Sequence, residues 1–433
     1  MPPITTRRST LNNFVSHAFS FSSGGGDDPD LSTTIPHILI IGGGYAGCLL
    51  GSALEQEVRQ GKCRLTLIER RPTFHHKIAS IRASVRGGHF IDRTQIPLTD
   101  ILKYAKIVQS NVRKVNAEND TVELEDGTVL RYDILVCATG ILSHSSGDLP
   151  ASVRSPEQVR DYFNASAEAI KSHTRHITIV GGGPSAIEYA GEIRAAYPDK
   201  KITMICSSGH LLSSCVAAPS GSFMRRLHKK LQNLGIVVIK GEKVVSPSPE
   251  DFYDNEKFIT GPVVVKTQGA KNLELETDLV IWCAPWKVNS SLYSEEWLNA
   301  SAELQVDDTF RVKGCDKGNV FAFGDISSIA ETKQAITLPE KVPLIKSNIL
   351  QVVADIAQDI PAQLTPLKRY NWTDRTVMYL PIGPKKGVSQ VGRWVYDDKK
   401  TAKFKGMDLY TDHFWKLLTG KPAPPQPPLF PSA

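Results

Sequence analysis

The sequence predicts an α/β protein: two nested Rossmann-like dinucleotide-binding domains and a small C-terminal α+β region. Three observations carry that prediction. A glycine fingerprint occurs twice, each time directly after a β-branched run: Ile38-Leu39-Ile40-Ile41 leads into Gly42-Gly43-Gly44-Tyr45-Ala46-Gly47, and Ile177-Thr178-Ile179-Val180 into Gly181-Gly182-Gly183-Pro184-Ser185-Ala186. Similar sequence follows each copy, so the chain contains an internal structural repeat. A length of 433 residues at 41% hydrophobic content suffices for two or three cores.

In chain order, residues 1–35 are rich in Ser, Thr and Gly, with Arg7 and Arg8 and no acid before Asp27. They read as a disordered tail, with a mitochondrial transit peptide as the alternative. Met1-Pro2 lacks the second-position glycine that myristoylation requires. Residues 36–150 form the first segment of one nucleotide domain. Its first glycine permits a tight turn, its second admits backbone amides to a pyrophosphate, and its third lets helix and strand pack closely. The phosphate then meets the positive end of a helix. About 20 residues on, Leu65-Thr66-Leu67-Ile68 ends in Glu69, whose carboxylate accepts from ribose hydroxyls and repels a 2′-phosphate. Val112 to Val115 and Thr121 to Leu130 alternate in polarity around Asp126-Gly127, a hairpin before the strand that ends in Ala138-Thr139-Gly140.

Residues 151–290 repeat the plan, with Val263-Val264-Val265-Lys266 and Leu273-Glu274-Leu275 preceding Leu279-Val280-Ile281-Trp282. Here the third fingerprint position is Ala186, and the matching strand Ile202-Thr203-Met204-Ile205 runs into neutral Cys206-Ser207-Ser208, so NADH and NADPH both fit. Arg225, Arg226, His228 and Lys229 either attract a 2′-phosphate or form a solvated helical face. Residues 291–360 return to the first domain: Asn319 through Phe323 is a strand ending in Gly324-Asp325, where an acid can bond the ribityl hydroxyls of a flavin. Residues 361–421 form the C-terminal region. Residues 422–433 are proline-rich and read as a tail trailing in solvent.

Composition excludes several classes. No apolar run is long enough to span a bilayer. The net charge of +6 is modest and spread along the chain, which argues against a nucleic-acid partner. The seven cysteines show no close pair, so neither a metal site nor a redox dithiol is expected, and the compartment is a reducing one.

The first fingerprint, Glu69, Ala138-Thr139-Gly140, the second fingerprint and Gly324-Asp325 together resemble the pyridine-nucleotide-dependent FAD oxidoreductases. Within them, Phe74-His75-His76-Lys77, Arg82-Ala83-Ser84-Val85, Pro184-Ser185-Ala186-Ile187-Glu188, Gly387-Val388-Ser389-Gln390 and the stretch from Asp408 to Lys416 resemble the ferroptosis-suppressor and apoptosis-inducing-factor-like, mitochondrion-associated family. The resemblance spans about residues 36–420. It implies a flavoprotein that passes a hydride from NAD(P)H to flavin N5 and then electrons to a quinone or another small acceptor. It assigns FAD to the first fingerprint, with Gly42, Gly44, Ala46, Gly47, Glu69, Arg70, Val112, Thr139, Gly140 and Asp325 as contacts. It assigns NAD(P)H to the second, with Gly181, Gly183, Pro184, Ser185 and Ala186 as contacts and Glu188 placing the nicotinamide.

Lys77 is the candidate cation for a reduced, anionic flavin, with a surface lysine as the plain alternative. His75 and His76 read as packing and turn residues rather than proton relays. Two other readings of the family remain open: reduction of a small iron–sulfur protein, and an NADH-sensing interaction protein with low turnover. The resemblance implies a cytoplasmic protein with peripheral membrane contact, the mitochondrion being the alternative, and leaves a homodimer open. Three departures stand out. Cys283-Ala284-Pro285-Trp286 replaces the family's threonine-glycine pair, Pro339 and Pro343 precede a helix near the flavin, and membrane access falls to Phe414, Trp415, Leu417 and Leu418, which read equally as core or dimer contacts.

Overall fold

A computed structural model describes residues 35–143, 148–172, 175–213, 215, 217–248, 258–283, 286–331, 333–371 and 376–429. The expectations for residues 1–34, for Ala284-Pro285 and for the last four residues lie outside that set.

The first fingerprint joins β1 (His37–Ile41) to α1 (Tyr45–Arg59). β1 sits at the centre of a five-stranded parallel sheet, flanked by β2 (Arg64–Glu69) and β3 (Lys106–Gln109) on one side and by β4 (Ile134–Cys137) and the later β11 (Val320–Ala322) on the other. Helices cover one face: α1, and from far along the chain α6 (Val342–Ile356) and α7 (Thr411–Thr419), pack with Ile38, Ile40 and Leu67 in one core. Central parallel strands are buried on both faces, so an unbroken β-branched run is what the position demands.

The second lobe repeats this arrangement. β5 (His176–Val180) enters α4 (Pro184–Ala196) through the second fingerprint, and Pro184 starts the helix where its missing N–H costs nothing. β6 (Lys201–Cys206) and β7 (Ile236–Lys240) extend the sheet on one side. On the other, β10 (Glu274–Trp282) pairs with β9 (Phe258–Gly269), and β9 with β8 (Glu242–Ser246), both antiparallel. Where the sequence suggests separate strands at 273–275 and 279–282, the structure has the single strand β10. Its polar middle is held because the Thr277 hydroxyl donates to His176 O at 2.9 Å. The hairpin expected around Asp126-Gly127 is present, Thr121–Leu124 pairing with Val129–Arg131 and Gly127 adopting φ +86°.

The repeat extends to single atoms. His37 bridges Arg131 O and the Thr66 hydroxyl with its two ring nitrogens, while Asp133 accepts its backbone N–H. His176 bridges Glu276 O and the Thr203 hydroxyl in the same way, while Asp278 accepts its N–H.

The C-terminal region contributes an antiparallel sheet of β12 (Val377–Pro381), β13 (Gly387–Val391) and β14 (Trp394–Tyr396). A short helix Asp398–Thr401 follows and continues as a π-turn over Ala402–Gly406. Helix α4 abuts this sheet so closely that a Cβ on Gly191 would lie 2.4 Å from Gly383 N. One pair of alternatives is decided here and one expectation is corrected. Phe414, Trp415 and Leu418 are buried in the first core, and only Leu417 is exposed, so the four do not form a membrane-facing set. The described part of the proline-rich tail does not trail away: Arg93 donates to Pro424 O, and Gln426 Nε2 to Met407 O at 2.8 Å. A proline-rich strand still offers carbonyl acceptors, which is enough to dock it.

Candidate active site

Both fingerprints open onto one cleft of about 1110 Å³ between the lobes. Gly42 has φ +105°, and a Cβ there would strike Ala138 O at 2.5 Å. A Cβ on Gly47 would lie 1.9 Å from Gly42 O, which would break the turn. Gly44, by contrast, faces open space. The loop is thus closed on its inner side and open on its outer side, the shape that lets backbone amides reach an anion. Glu69 at the end of β2 accepts from Gly43 N–H at 2.8 Å and lines the cleft. Residues of this kind fit the pyrophosphate and ribose of FAD.

Further around the wall lie Ala46, Arg70, Val112, Thr139, Gly140 and Asp325. Thr139 donates to Asn289 O at 2.8 Å, which fixes the chain reversal at Gly140 (φ +64°). Asp325 follows β11 and has its carboxyl pushed above the usual range by burial, with Lys77 and Lys333 opposing the shift. Lys77 begins α2 (Lys77–Arg86), lines the cleft, and pairs with Asp148 at 2.7 Å. Its charge is therefore partly matched before any cofactor arrives.

At the second fingerprint, Pro184, Ser185 and Glu188 line the cleft. Gly181, Gly183 and Ala186 do not: Gly181 (φ +135°) turns against Cys283, Gly183 faces open space beside the helix start, and Ala186 is fully buried where α4 meets its sheet. The absence of a carboxylate is visible in the geometry. A Cβ on Gly43 would meet the Glu69 side chain at 2.9 Å, and a Cβ on Gly182 would meet Cys206 Sγ at 2.3 Å, so Cys206 occupies in this lobe the place of Glu69. Arg226, on α5 (Gly221–Asn233), is turned to Asp397 at 2.6 Å rather than toward that edge.

Several cleft residues had no clear signal in the sequence. Lys405, in the π-turn, reaches Glu188 at 2.7 Å, and both are largely buried. Burial raises the Glu188 carboxyl, and the Lys405 ammonium counteracts part of that rise. One helical turn further on, Glu192 takes a buried two-point bond from Arg82 of α2, at 2.7 and 2.9 Å. Arg71, beside the expected Arg70, donates to Val153 O and Pro150 O at 2.9 Å and holds that loop against the cleft. Burial lowers its guanidinium to about 10.

Tyr45, which follows the first glycines, is clamped by His76 Nδ1 at 2.6 Å and by the Ile78 N–H at 3.2 Å. His76 is fully buried, bonds Leu409 O at 2.9 Å and is pushed down to about 3 by burial, so it remains a neutral packing residue. His75 bonds the Ser80 hydroxyl at 2.7 Å and stacks on Phe163. Among the described residues no cluster suits a metal ion, and none of the seven cysteines is in a disulfide.

Residues 36–343 match the pyridine nucleotide-disulphide oxidoreductase family, and the chain belongs to it. It is an NAD(P)H-dependent flavin oxidoreductase with FAD and NAD(P)H as cofactors. Its relatives narrow the class. It is 28% identical over 395 residues to apoptosis-inducing factor homolog B of Dictyostelium discoideum, covering 88% of this chain and 96% of that one. It is 27% identical over 396 residues to ferroptosis suppressor protein 1 of Homo sapiens, covering 89% and 96%. The sulfide:quinone oxidoreductase of Aquifex aeolicus shares the fold, with a TM-score of 0.68 at 17% identity over 90% of this chain and 93% of that one.

Proposed function

We propose that this protein oxidises NADH or NADPH and reduces a quinone. The observation that carries the reading is the shared cleft. Residues of both fingerprints wall one space, whose lining also includes the apolar Ile336, Leu338, Met378 and Leu380. FAD, when bound, supplies the hydride acceptor and the electrons that are passed on. The protein's own part is placement. Gly42 and Gly44 cradle the pyrophosphate, Glu69 takes the adenosine ribose, and Asp325 takes the ribityl hydroxyls. Pro184 and Ser185 seat the second nucleotide, and Glu188, held by Lys405, fixes the position of its reactive end. Such fixed geometry can supply much of the rate without an acid–base side chain. The name of one structural neighbour, a sulfide:quinone oxidoreductase, states that it acts on a quinone, which supports this reading.

Stopped-flow mixing of the yellow holoprotein with NADH tests it. Rapid bleaching followed by prompt reoxidation with a short-chain quinone is the expected result. A long-lived charge-transfer band with slow reoxidation would replace it with the NADH-sensing reading, and reoxidation by ferredoxin alone with the iron–sulfur reading.

A further inference from the structure

Reducing a quinone to its quinol takes a proton that the nucleotide does not bring. The hydride of NAD(P)H carries two electrons and one proton, and the quinol needs a second proton from solvent. A cleft that keeps water away from its bound rings therefore needs a route for it.

Beside Asp325 lies a second, smaller chamber of about 10 Å³, room for about one water. Asp325, Ser327, Glu331 and Lys341 line it, and Asp325 and Glu331 line the main cleft as well. Glu331 therefore faces both spaces. Behind it, Lys341 donates to Glu331 Oε1 at 2.6 Å and to the Thr337 hydroxyl at 3.2 Å, while the Tyr370 hydroxyl donates to Glu331 Oε2 at 3.2 Å. Tyr370 is half-buried, with its ring 5.4 Å from that of Phe310, another wall of the chamber. Burial and the charge of Glu331 push the Tyr370 hydroxyl up to about 12, and Glu340 adds to the rise, so it holds its proton at neutral pH. On the cleft side Lys333 is already committed, pairing with Glu303 and donating to Asp325 O at 3.1 Å.

The arrangement is a poor stabiliser. Lys341 is 3% exposed and stands immediately before α6, where the positive end of the helix disfavours a cation. The attraction of a buried pair seldom exceeds the cost of desolvating both its charges. As a relay, the same groups are well placed: a hydroxyl toward solvent, a carboxylate at the cleft, and a fixed cation beside that carboxylate.

We propose that Glu331 admits the solvent proton to the cleft, with Tyr370 supplying it from the solvent side and Lys341 positioning the carboxylate. The proton passes from the Tyr370 hydroxyl to Glu331 Oε2 as that hydroxyl takes another from solvent. The new O–H bond on Glu331 then breaks as an O–H bond forms on the acceptor's oxygen, and the carboxylate returns to its pair with Lys341. No electrons move in these steps; both come from NAD(P)H.

The proposal rests on the quinone reading, and its test separates the two. Holoprotein reduced with NADH is reoxidised in the stopped flow by a short-chain quinone, which takes electrons and protons, or by ferricyanide, which takes electrons alone. Glu331→Gln should accept hydride at the wild-type rate, slow reoxidation by quinone about 100-fold and leave reoxidation by ferricyanide unchanged. Tyr370→Phe, which spares the pair with Lys341, should slow the quinone step alone as well, and it carries the test if Glu331→Gln does not retain FAD. Equal slowing with both acceptors would make Glu331 a structural residue and overturn the proposal, as would no slowing with either. Infrared difference spectra of the holoprotein, oxidised against dithionite-reduced with no acceptor present, should contain a carboxyl band that Glu331→Gln removes. A missing band overturns the proposal whatever the acceptor. Wild type that serves ferricyanide but no quinone overturns the quinone reading instead.

Discussion

Lys405→Met removes the nearest cation from Glu188 and leaves a carboxylate 5% exposed without its ion-pair partner. At 2.7 Å, two unit charges in an effective dielectric of about 20 attract by about 6 kcal/mol. Desolvation offsets part of this, and breaking such pairs costs about 3–5 kcal/mol. The variant can relieve the loss by binding a proton, so the Glu188 carboxyl, already raised by burial, rises further. The sign follows. A carboxyl with a folded pKa above its unfolded value contributes stability that is full below the unfolded pKa and declines as pH rises through the folded one. The deficit of Lys405→Met relative to wild type should therefore widen from about pH 5 to about pH 8, and adding Glu188→Gln should flatten it. Thermal unfolding of the holoprotein across that range, with flavin reduction by NADH measured in parallel, checks both halves. If the two substitutions add within about 0.5 kcal/mol, they are not coupled and the reasoning fails.

Other outcomes follow from the same cleft. Glu69→Ala should weaken FAD retention by about 10- to 100-fold, the worth of a charged hydrogen-bond acceptor, read as the yellow colour left after desalting. Wild type should discriminate NADPH from NADH by no more than about a hundredfold in kcat/KM, and Cys206→Glu should swing the ratio toward NADH by at least about tenfold; an unmoved ratio would show that Cys206 is not the ribose-facing position. His76, neutral in the fold, contributes stability that is full above about pH 6.5 and is lost as pH falls toward about 3. His76→Asn should make the acid limb of a stability profile shallower, and an unchanged limb would place the acid sensitivity elsewhere.

The parts legible in the sequence are those whose chemistry is local. Gly42 and Gly47 are required by contacts within a few residues or with the adjacent strand, and Glu69 ends the strand beside them, so spacing alone reveals them. Lys405 lies 217 residues from Glu188, and Arg82 lies 110 from Glu192, so no periodicity connects them. Only packing does. Phe414 and Trp415 illustrate the same limit. An amphipathic C-terminal helix looks alike in sequence whether its apolar face meets lipid or, as here, Tyr45 and Phe74 of the first lobe. The second half of β10 is legible as a buried apolar run, whereas the polar Glu276, Thr277 and Asp278 separate it in sequence from the first half. In the fold Thr277 and Asp278 instead anchor the start of β5.

The two lobes show which features their repeat preserves. Histidine, threonine and aspartate keep identical bonds at the base of each sheet, at His37, Thr66 and Asp133 and at His176, Thr203 and Asp278. The opposite end of the second strand, where a nucleotide is chosen, has changed from Glu69 to Cys206. On the proposed function the Glu69 carboxylate excludes a 2′-phosphate, and Cys206 has no charge with which to do so. Between them the lobes are fastened by the buried Arg82–Glu192 bond, and Arg82 also donates to Met407 O at 2.7 Å, tying in the C-terminal region. A hinge is ill served by a bidentate buried pair, because opening would leave both charges uncompensated. The cleft is therefore set at folding rather than closed on its ligands. For a reaction that depends on alignment of two bound rings, a preset gap is the more effective use of the fold.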